Sequence, residues 1–354
     1  MSFESTKVDG SCFSMCSEKE LRMREREGLL SILEIDDKTG NSKNRKADPA
    51  KVIKCYQRSS AGKSFADEPS ELRPGPVLVL TIQYLFKKVL LRKDVDWSLI
   101  YEFAFDRTRA IRQDMIIQRL DARWCIRILE PIVKFHIYAG EKMRERPLSE
   151  FVPKFNNQHL LECVKQLLVL YDDTDYANGA EIDDGKDANE QFKHRCNIEA
   201  VYLLLFLGER SALSRGLSLP SPFRKSSVVQ QALQISLAWY LKNYVQVCRK
   251  VFQLSPLFAM AISNNLSSIR RDAVQIMSAG YQSKNLVYPI EKFKEILLYN
   301  DVKKITADCK LLGLQVDDKN IHFKNWLSDT PLTTPERLFN ETHLDELLPD
   351  IIFE

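Results

Sequence analysis

The sequence predicts a mostly α-helical chain, a stack of helix pairs closed near its C-terminus by a small strand–helix–helix–hairpin module. Three observations carry this. Only 12 glycines and 14 prolines occur in 354 residues, too few for the turn-dense sequence of a β-sandwich or of an open α/β sheet. From Pro74 onward, leucine, isoleucine and aromatic residues recur at helical spacing, as amphipathic helices require. From about Asn285 the pattern gives way to short β-like runs between short helices.

Residues 1–72 read as an extended polar leader with one short helix. In "SEKELRMREREGLLSILE", Ser17 followed three residues on by Glu20 is a capping-box start. Leu29, Leu30 and Leu33 are expected to dock on the body of the chain or on a partner. "DDKTGNSKNRKADP" reads as a solvated linker of turn formers and mixed charge.

A helical-repeat domain is expected over residues 73–262. "PVLVLTIQYLFKKVLL", "DWSLIYEFAFDRTRAIRQDMIIQRL" and "DARWCIRILEPIVKFHIYAGEKM" follow one another. Asp121 is expected to cap the third of these and Pro131 to kink it. "NNQHLLECVKQLLVLYD" leads into an acidic stretch, 172–190, too polar to pack and expected to be a mobile loop. "QFKHRCNIEAVYLLLFLGE", "SVVQQALQISLAWYLKNYVQVCRKVFQL" and "SPLFAMAISNNLSSIRRDAVQIMSAGYQ" continue the helices. No fixed sequence period links them, so any repeat is structural.

Over 263–327 a winged helix is expected. "LVYPI" reads as a strand, "EKFKEILLY" and "DVKKITADCKLLGL" as two helices, and "LQVDDKNIHF" as a hairpin turning at Asp317 to Asn320. Residues 328–354 close the chain as an acidic tail.

The net charge of +3 conceals a division, because Tyr171–Gln191 carries −7 and Ser328–Glu354 carries −6, leaving +16 on the rest. That balance fits an acidic partner, nucleic acid or protein, without choosing between them. "MSFESTKVDG" has neither the basic nor the apolar region of a secretory signal. The longest apolar run, "AVYLLLFLG", is far shorter than the roughly 20 residues of a membrane span. Eight cysteines without close pairing suit a reducing compartment. The expectation is a soluble intracellular protein with no membrane partner.

Motifs for chemistry are weak. "QRSSAGKS", Gln57 to Ser64, ends like a phosphate loop but has Gln57 where the first glycine is needed, so it reads as a plain loop. Cys12, Cys16, His159 and Cys163 offer four zinc-type ligands, though neither pair has C-x-x-C spacing, and buried free cysteines often fill cores. His136, among apolar neighbours, reads as a hydrogen-bonded core histidine. No enzyme, cofactor, metal or small-molecule substrate is expected.

Two groups of residues have a stronger case. On the module, Arg270, Arg271, Lys292, Lys294, Lys303, Lys304 and Lys310 form a basic set suited to phosphates, or to a protein contact, or to plain solvation; the acidic tip "DDKN" argues against deep insertion into a groove. In "FDRTRAIRQDM", Phe103, Ala104, Ile111 and Met115 share one helical arc with Arg107 and Asp114, while Arg109 and Arg112 point away. Arg107 and Asp114 are therefore expected to be buried and paired, with one group able to bridge both. Partners of Arg109 and Arg112 are expected on other elements or molecules.

Six ordered blocks, "GSCFSMCSEKELRMREREGLLSILE", "KVIKCYQRSSAGKS", "ELRPGPVLVLTIQYLF", "WSLIYEFAFDRTRAIRQDM", "ILEPIVKFHIYA" and "NNLSSIRRDAVQIM", resemble the Sac/GANP family of mRNA-export scaffolds, over about Gly10 to Trp326. The resemblance implies a PCI-type module, tetratricopeptide-like repeats ending in a winged helix. Asp106, Arg107, Arg109, Arg112, Gln113 and Asp114 are its most specific block. It further implies pairing with a second PCI-domain protein and a small acidic Sem-type subunit, contact with RNA, and a nuclear location. In length and content the chain looks more like the short, stand-alone SAC-domain-containing members of animals, which associate with centrosomes and spindles. A centrosomal or spindle role in centrosome duplication and mitotic progression, with centrosomal, spindle or cytoplasmic location, is therefore the alternative expectation.

Overall fold

The computed structural model describes residues 8–39, 45–58, 68–177, 186–281, 283, 285–323, 332 and 336–353. The chain divides into two units, one of Met1–Phe135, Leu160–Ala177 and Leu348–Glu354, the other of His136–His159 and Asn178–Leu347. Most described residues are helical, in the order the sequence predicts. No helix among them is long and apolar enough to cross a membrane.

In the first unit, α1 (Glu18–Arg26) starts where Ser17 Oγ accepts the Glu20 amide at 3.2 Å. The expected capping box is only half made, because the Glu20 carboxylate accepts from the Cys55 amide instead, at 2.8 Å. α2 (Gly75–Tyr84) runs directly into a wider five-residue turn, Leu85–Val89. Gly75 lets the Trp124 indole lie against the helix, since a Cβ there would stand 2.8 Å from the ring. α3 (Trp97–Ile117) is capped by Asp96, which accepts the Ser98 amide at 2.9 Å. α4 (Ala122–Lys142) begins at Asp121, as expected, the Trp124 amide donating to its carboxylate at 3.2 Å. Pro131 lies inside α4 and the helix continues past it. Leu78, Ile82, Phe86, Ile100, Ala104, Ile111 and Ile128 form the core, where Phe135 packs on Phe86 and Tyr101 with centroids 5.8 and 6.1 Å away.

The segment expected to be an extended leader is packed into this unit. Leu33, Ile35, Val52 and Ile53 are buried, and Cys16, Ala47 and Val52 make a small cluster with Leu21 and Leu30. Of the three leucines expected to dock, Leu33 is buried, Leu30 is half-buried and Leu29 is exposed. Apolar spacing alone missed this because the segment has no long periodic element; buried ion pairs hold it, as shown below.

α5 (Pro153–Ala177) and α6 (Lys186–Leu205) both extend into the stretch expected to be an acidic loop, so the helices continue further than its polarity suggests; residues 178–185 lie outside the described residues. The second unit continues with α7 (Arg210–Ser218), α8 (Ser221–Arg224), α9 (Ser227–Tyr240), α10 (Tyr244–Val251), α11 (Pro256–Ser263) and α12 (Leu266–Gly280). α9 packs on α6, α7, α8 and α10. The run "SVVQQALQISLAWYLKNYVQVCRKVFQL" is two helices, because Lys242 adopts a left-handed φ of 58° and Asn243 then caps α10 by accepting the Gln246 amide at 3.1 Å.

The expected strand–helix–helix–hairpin order is present as β1 (Tyr288–Pro289), α13 (Ile290–Ile296), α14 (Val302–Leu311), β2 (Gln315–Val316) and β3 (Asn320–His322). The three strands form an antiparallel sheet in the order β1-β3-β2, with Ile321 paired to both Tyr288 and Val316. Asp317 fixes the hairpin turn by accepting the Lys319 and Asn320 amides at 2.8 and 2.7 Å. Ile305, Cys309, Ile321 and Phe323 are buried. In the stretch expected to be an acidic tail, α15 (Glu341–Phe353) buries Leu344, Leu348, Ile351 and Ile352.

Candidate functional site

Residues 53–57 run extended beside α3 with no sheet partner, and buried backbone groups must find partners somewhere. Side chains supply most of them. The amide of Ile53 donates to Glu34 Oε1 at 3.0 Å, that of Cys55 to Glu20 and that of Tyr56 to Asp106 Oδ2 at 3.1 Å. Lys54 N donates to the Met15 carbonyl at 3.0 Å. Arg24 and Gln113 serve the carbonyls of Ile53 and Gln57, at 3.1 and 2.8 Å. Asp106 and Gln113 of α3 thus hold this segment together with Glu20, Arg24 and Glu34.

Charge is gathered beneath this strand. Arg24, Lys54, Arg73 and Arg107 are buried with Glu20, Glu34 and Asp114, and half-buried Asp106 makes four carboxylates against four cations. Glu34 pairs with Arg24 and with Arg107, the latter at 3.2 Å, and Arg107 also pairs with Asp106. Asp114 accepts Lys54 Nζ and Arg73 Nε, both at 2.7 Å. Gln118 donates to the Arg73 carbonyl at 2.8 Å and accepts the Gly10 amide at 2.9 Å. Burial raises the Glu20 carboxyl above its ordinary value in spite of Arg24.

Arg107 and Asp114 are buried and paired as their helical phase predicts. The single bridging group expected between them is absent from the described contacts: each has its own partners, on different segments. Arg109 and Arg112 are half-buried, with partners on other elements. The Arg109 guanidinium lies 3.8 Å from the Tyr56 ring centroid, and Arg112 is 3.3 Å from Glu162. His136 is the expected core histidine, 2.9 Å from Asn156 Oδ1. No group of three or more metal-ligating side chains converges among the described residues. "QRSSAGKS" from Ser59 onward lies outside them.

In the second unit the expected basic set divides. Arg270 is buried, pairs with Glu336 at 2.6 Å, donates to the Leu297 carbonyl at 3.0 Å and to that of Leu298, and stacks 3.7 Å from the Tyr299 centroid. It is committed to the fold and is not available to a phosphate, which corrects that expectation. Tyr299 in turn donates to Asp308 at 2.7 Å. Lys304 pairs with Glu145 at 2.8 Å, Lys292 with Glu295 at 2.6 Å and Arg271 with Asp272 at 3.0 Å. Lys303 and Lys310 are exposed and Lys294 half-buried, with no ion pair among the described residues. An open cavity of about 460 Å³ lies beside Lys294, lined also by Phe252, Leu298, Tyr299, Asn300 and Leu338.

Comparison with known proteins now bears on these features. A model of the SAC3/GANP family matches residues 15–318. The chain belongs to that family. It is 26% identical to SAC3 family protein 1 of Schizosaccharomyces pombe, over 97% of this chain and 34% of that protein. It is also 26% identical to Protein xmas of Drosophila melanogaster, over 88% of this chain and 15% of that one. SAC3 family protein B of Arabidopsis thaliana is 26% identical over 78% of this chain and 16% of its own length. The chain therefore spans about a third or less of the length of these relatives. The SAC3/GANP match takes in the buried network and runs to the β2–β3 turn.

Beyond that match lies a strap that sequence reasoning missed. Glu336 takes the Asn300 amide at 2.8 Å as well as Arg270. Arg337 pairs with Glu145 at 3.0 Å, and the Leu338 and Phe339 amides donate to Glu141. Lys142 pairs with Asp345 at 2.6 Å, and Tyr138 donates to the Leu344 carbonyl at 3.1 Å. Leu344, Leu348, Ile351 and Ile352 stand at helical spacing, so the signal was present, masked by the acids between them.

Proposed function

We propose that this chain is a non-enzymatic scaffold of the SAC3/GANP type acting in nuclear mRNA export. In this reading β1 to β3 with α13 and α14 form a winged helix, the helices before them a tetratricopeptide-like stack, and the whole a PCI-type module. The module pairs with a second PCI-domain protein and a small acidic Sem-type subunit. RNA contact falls to Lys294, Lys303 and Lys310, the cations of the expected set without an ion pair among the described residues, which neutralise phosphates without reading bases. The observation that carries the reading is the family match over residues 15–318. The strand–helix–helix–hairpin order supports it. Affinity purification of the tagged chain with mass spectrometry tests it: a PCI-domain protein and a small acidic subunit are expected, and repeated recovery of neither overturns it. Imaging through the cell cycle provides the second readout, with nuclear or pore signal expected; signal confined to spindle poles would instead establish the centrosomal role.

A further inference from the structure

No aspartate or glutamate occurs from Arg210 to Arg271, 62 residues that hold nine lysines and arginines. These residues form α7 to α11 and the start of α12. Arg215 answers Glu199, Arg224 the Leu217 carbonyl and Lys250 Gln234, while Arg270 and Arg271 are paired as above. Arg210, Lys225, Lys242 and Arg249 are exposed and have no ion pair among the described residues.

Within this acid-free stretch α10 presents an apolar stripe. Val245, Arg249 and Phe252 fall within an arc of about 60°, with Val245 40% and Phe252 68% exposed. At one end the α9–α10 turn projects Leu241, 73% exposed, beside Lys242. At the other end Phe252 forms a wall of the cavity of about 460 Å³, with Leu298, Tyr299 and Leu338 as its apolar lining and Lys294 among its polar residues. Glu291 and the Lys292–Glu295 pair also line that cavity and balance Lys294, so the excess positive charge lies on α10 and its turn. From Val245 to Phe252 the stripe covers about 11 Å, two turns of helix, and Leu241 in the turn extends it.

We propose that the α9–α10 turn and the outer face of α10 dock an acidic amphipathic helix of a partner protein. Its apolar side covers Leu241, Val245 and Phe252, and its carboxylates meet Lys242 and Arg249. Charge complementarity selects an acidic partner, and the apolar stripe between the cations selects a protein helix over RNA, which rewards continuous cations and stacked rings. The proposal is independent of the export reading, since it concerns the chain alone with a synthetic probe.

The test is fluorescence anisotropy on the purified full chain. The probe is a labelled helix of about 16 residues with leucines on one face and glutamates on the others; a scrambled isomer and single-stranded polyuridine are comparators. The amphipathic helix is expected to bind at least about tenfold more tightly than its isomer. Leu241→Ala with Phe252→Ala, and separately Lys242→Glu with Arg249→Glu, are each expected to weaken it by about tenfold or more, with unchanged circular dichroism and thermal midpoint. Equal binding of helix and isomer overturns the proposal, as does indifference to the alanine pair. Tighter binding of polyuridine, lost only on charge reversal, would make this an RNA surface. Self-association abolished by the alanine pair would give the face to a second copy.

Discussion

Asp114 shows how closely residues in the first unit depend on one another. Its two oxygens hold Lys54 and Arg73, both buried, at 2.7 Å. Asp114→Ala leaves two cations without their carboxylate, and Arg107→Ala leaves Glu34 with Arg24 alone. Each is expected to lower stability by about 3–5 kcal/mol, the range for orphaning a buried charge. Arg109→Ala, which loses only a half-buried stacking on Tyr56, is expected to cost about 1 kcal/mol. Urea unfolding of the three variants checks the order; an Asp114→Ala protein as stable as wild type would show that the cations find other anions. Gly10 is a separate constraint, because a Cβ there would lie 2.4 Å from the Leu72 carbonyl oxygen. Gly10→Ala is expected to destabilise by about 1–3 kcal/mol, since the obstacle is backbone and cannot swing away. At this scale the sequence showed which α3 residues turn inward, because helical phase is local information. It could not show their partners, which lie 41 to 73 residues earlier in the chain for Arg73, Lys54 and Glu34. Arg270 was readable by the same test, since it shares a stripe with Leu266 and Val274; counting it as a surface cation ignored that phase.

Among elements, the α13–α14 junction is the most constrained. Leu298 takes a left-handed φ of 59° just after α13, where glycine is usual. The Tyr299 amide closes the turn on the Lys294 carbonyl at 3.1 Å, and Arg270 holds the carbonyls of Leu297 and Leu298. These bonds and the burial of the Leu298 side chain offset about 1 kcal/mol of backbone strain. The same junction positions α14, which carries Lys303 and Lys310. Lys303→Glu with Lys310→Glu is expected to weaken RNA binding and to flatten its salt dependence by about 1.4 in slope, two phosphate contacts on a single strand. Lys304 is left intact because it pairs with Glu145. If affinity and slope are both unchanged, α14 is not the RNA-facing element. Here the sequence read well where turn chemistry was explicit, as at Asp121 and Asp317. The break at Lys242 carried no such explicit signal, since lysine has no left-handed signature.

At the scale of the whole molecule, buried polar contacts secure both the early and the late segments of the described chain. In one unit, Glu34 and Lys54 bind residues 15–57 to α3. In the other, Glu336 and Arg337 bind the strap. The cysteines follow the same logic of burial. Burial pushes the thiols of Cys55, Cys248 and Cys309 up to about 12 and those of Cys125 and Cys163 up to about 11, from 9.0. Each folded-state value lies above the unfolded one, so the contribution to stability is complete below pH 9 and declines as pH rises toward the folded value. In the unfolded chain the thiols ionise near 9 while in the folded chain they remain neutral, so each removes up to about 1.4 kcal/mol per pH unit. Stability is therefore expected to fall as pH rises from about 9 to 11. Under reducing conditions, urea unfolding across this range should show a stability that is level near neutrality and falls steeply above 9. The thiolate ultraviolet absorbance of native protein should stay low until the unfolding transition, whereas urea-unfolded chain should gain it near 9. A native thiolate signal at pH 9 would mean that these cysteines are open to water, and would refute the packed interior on which both units depend.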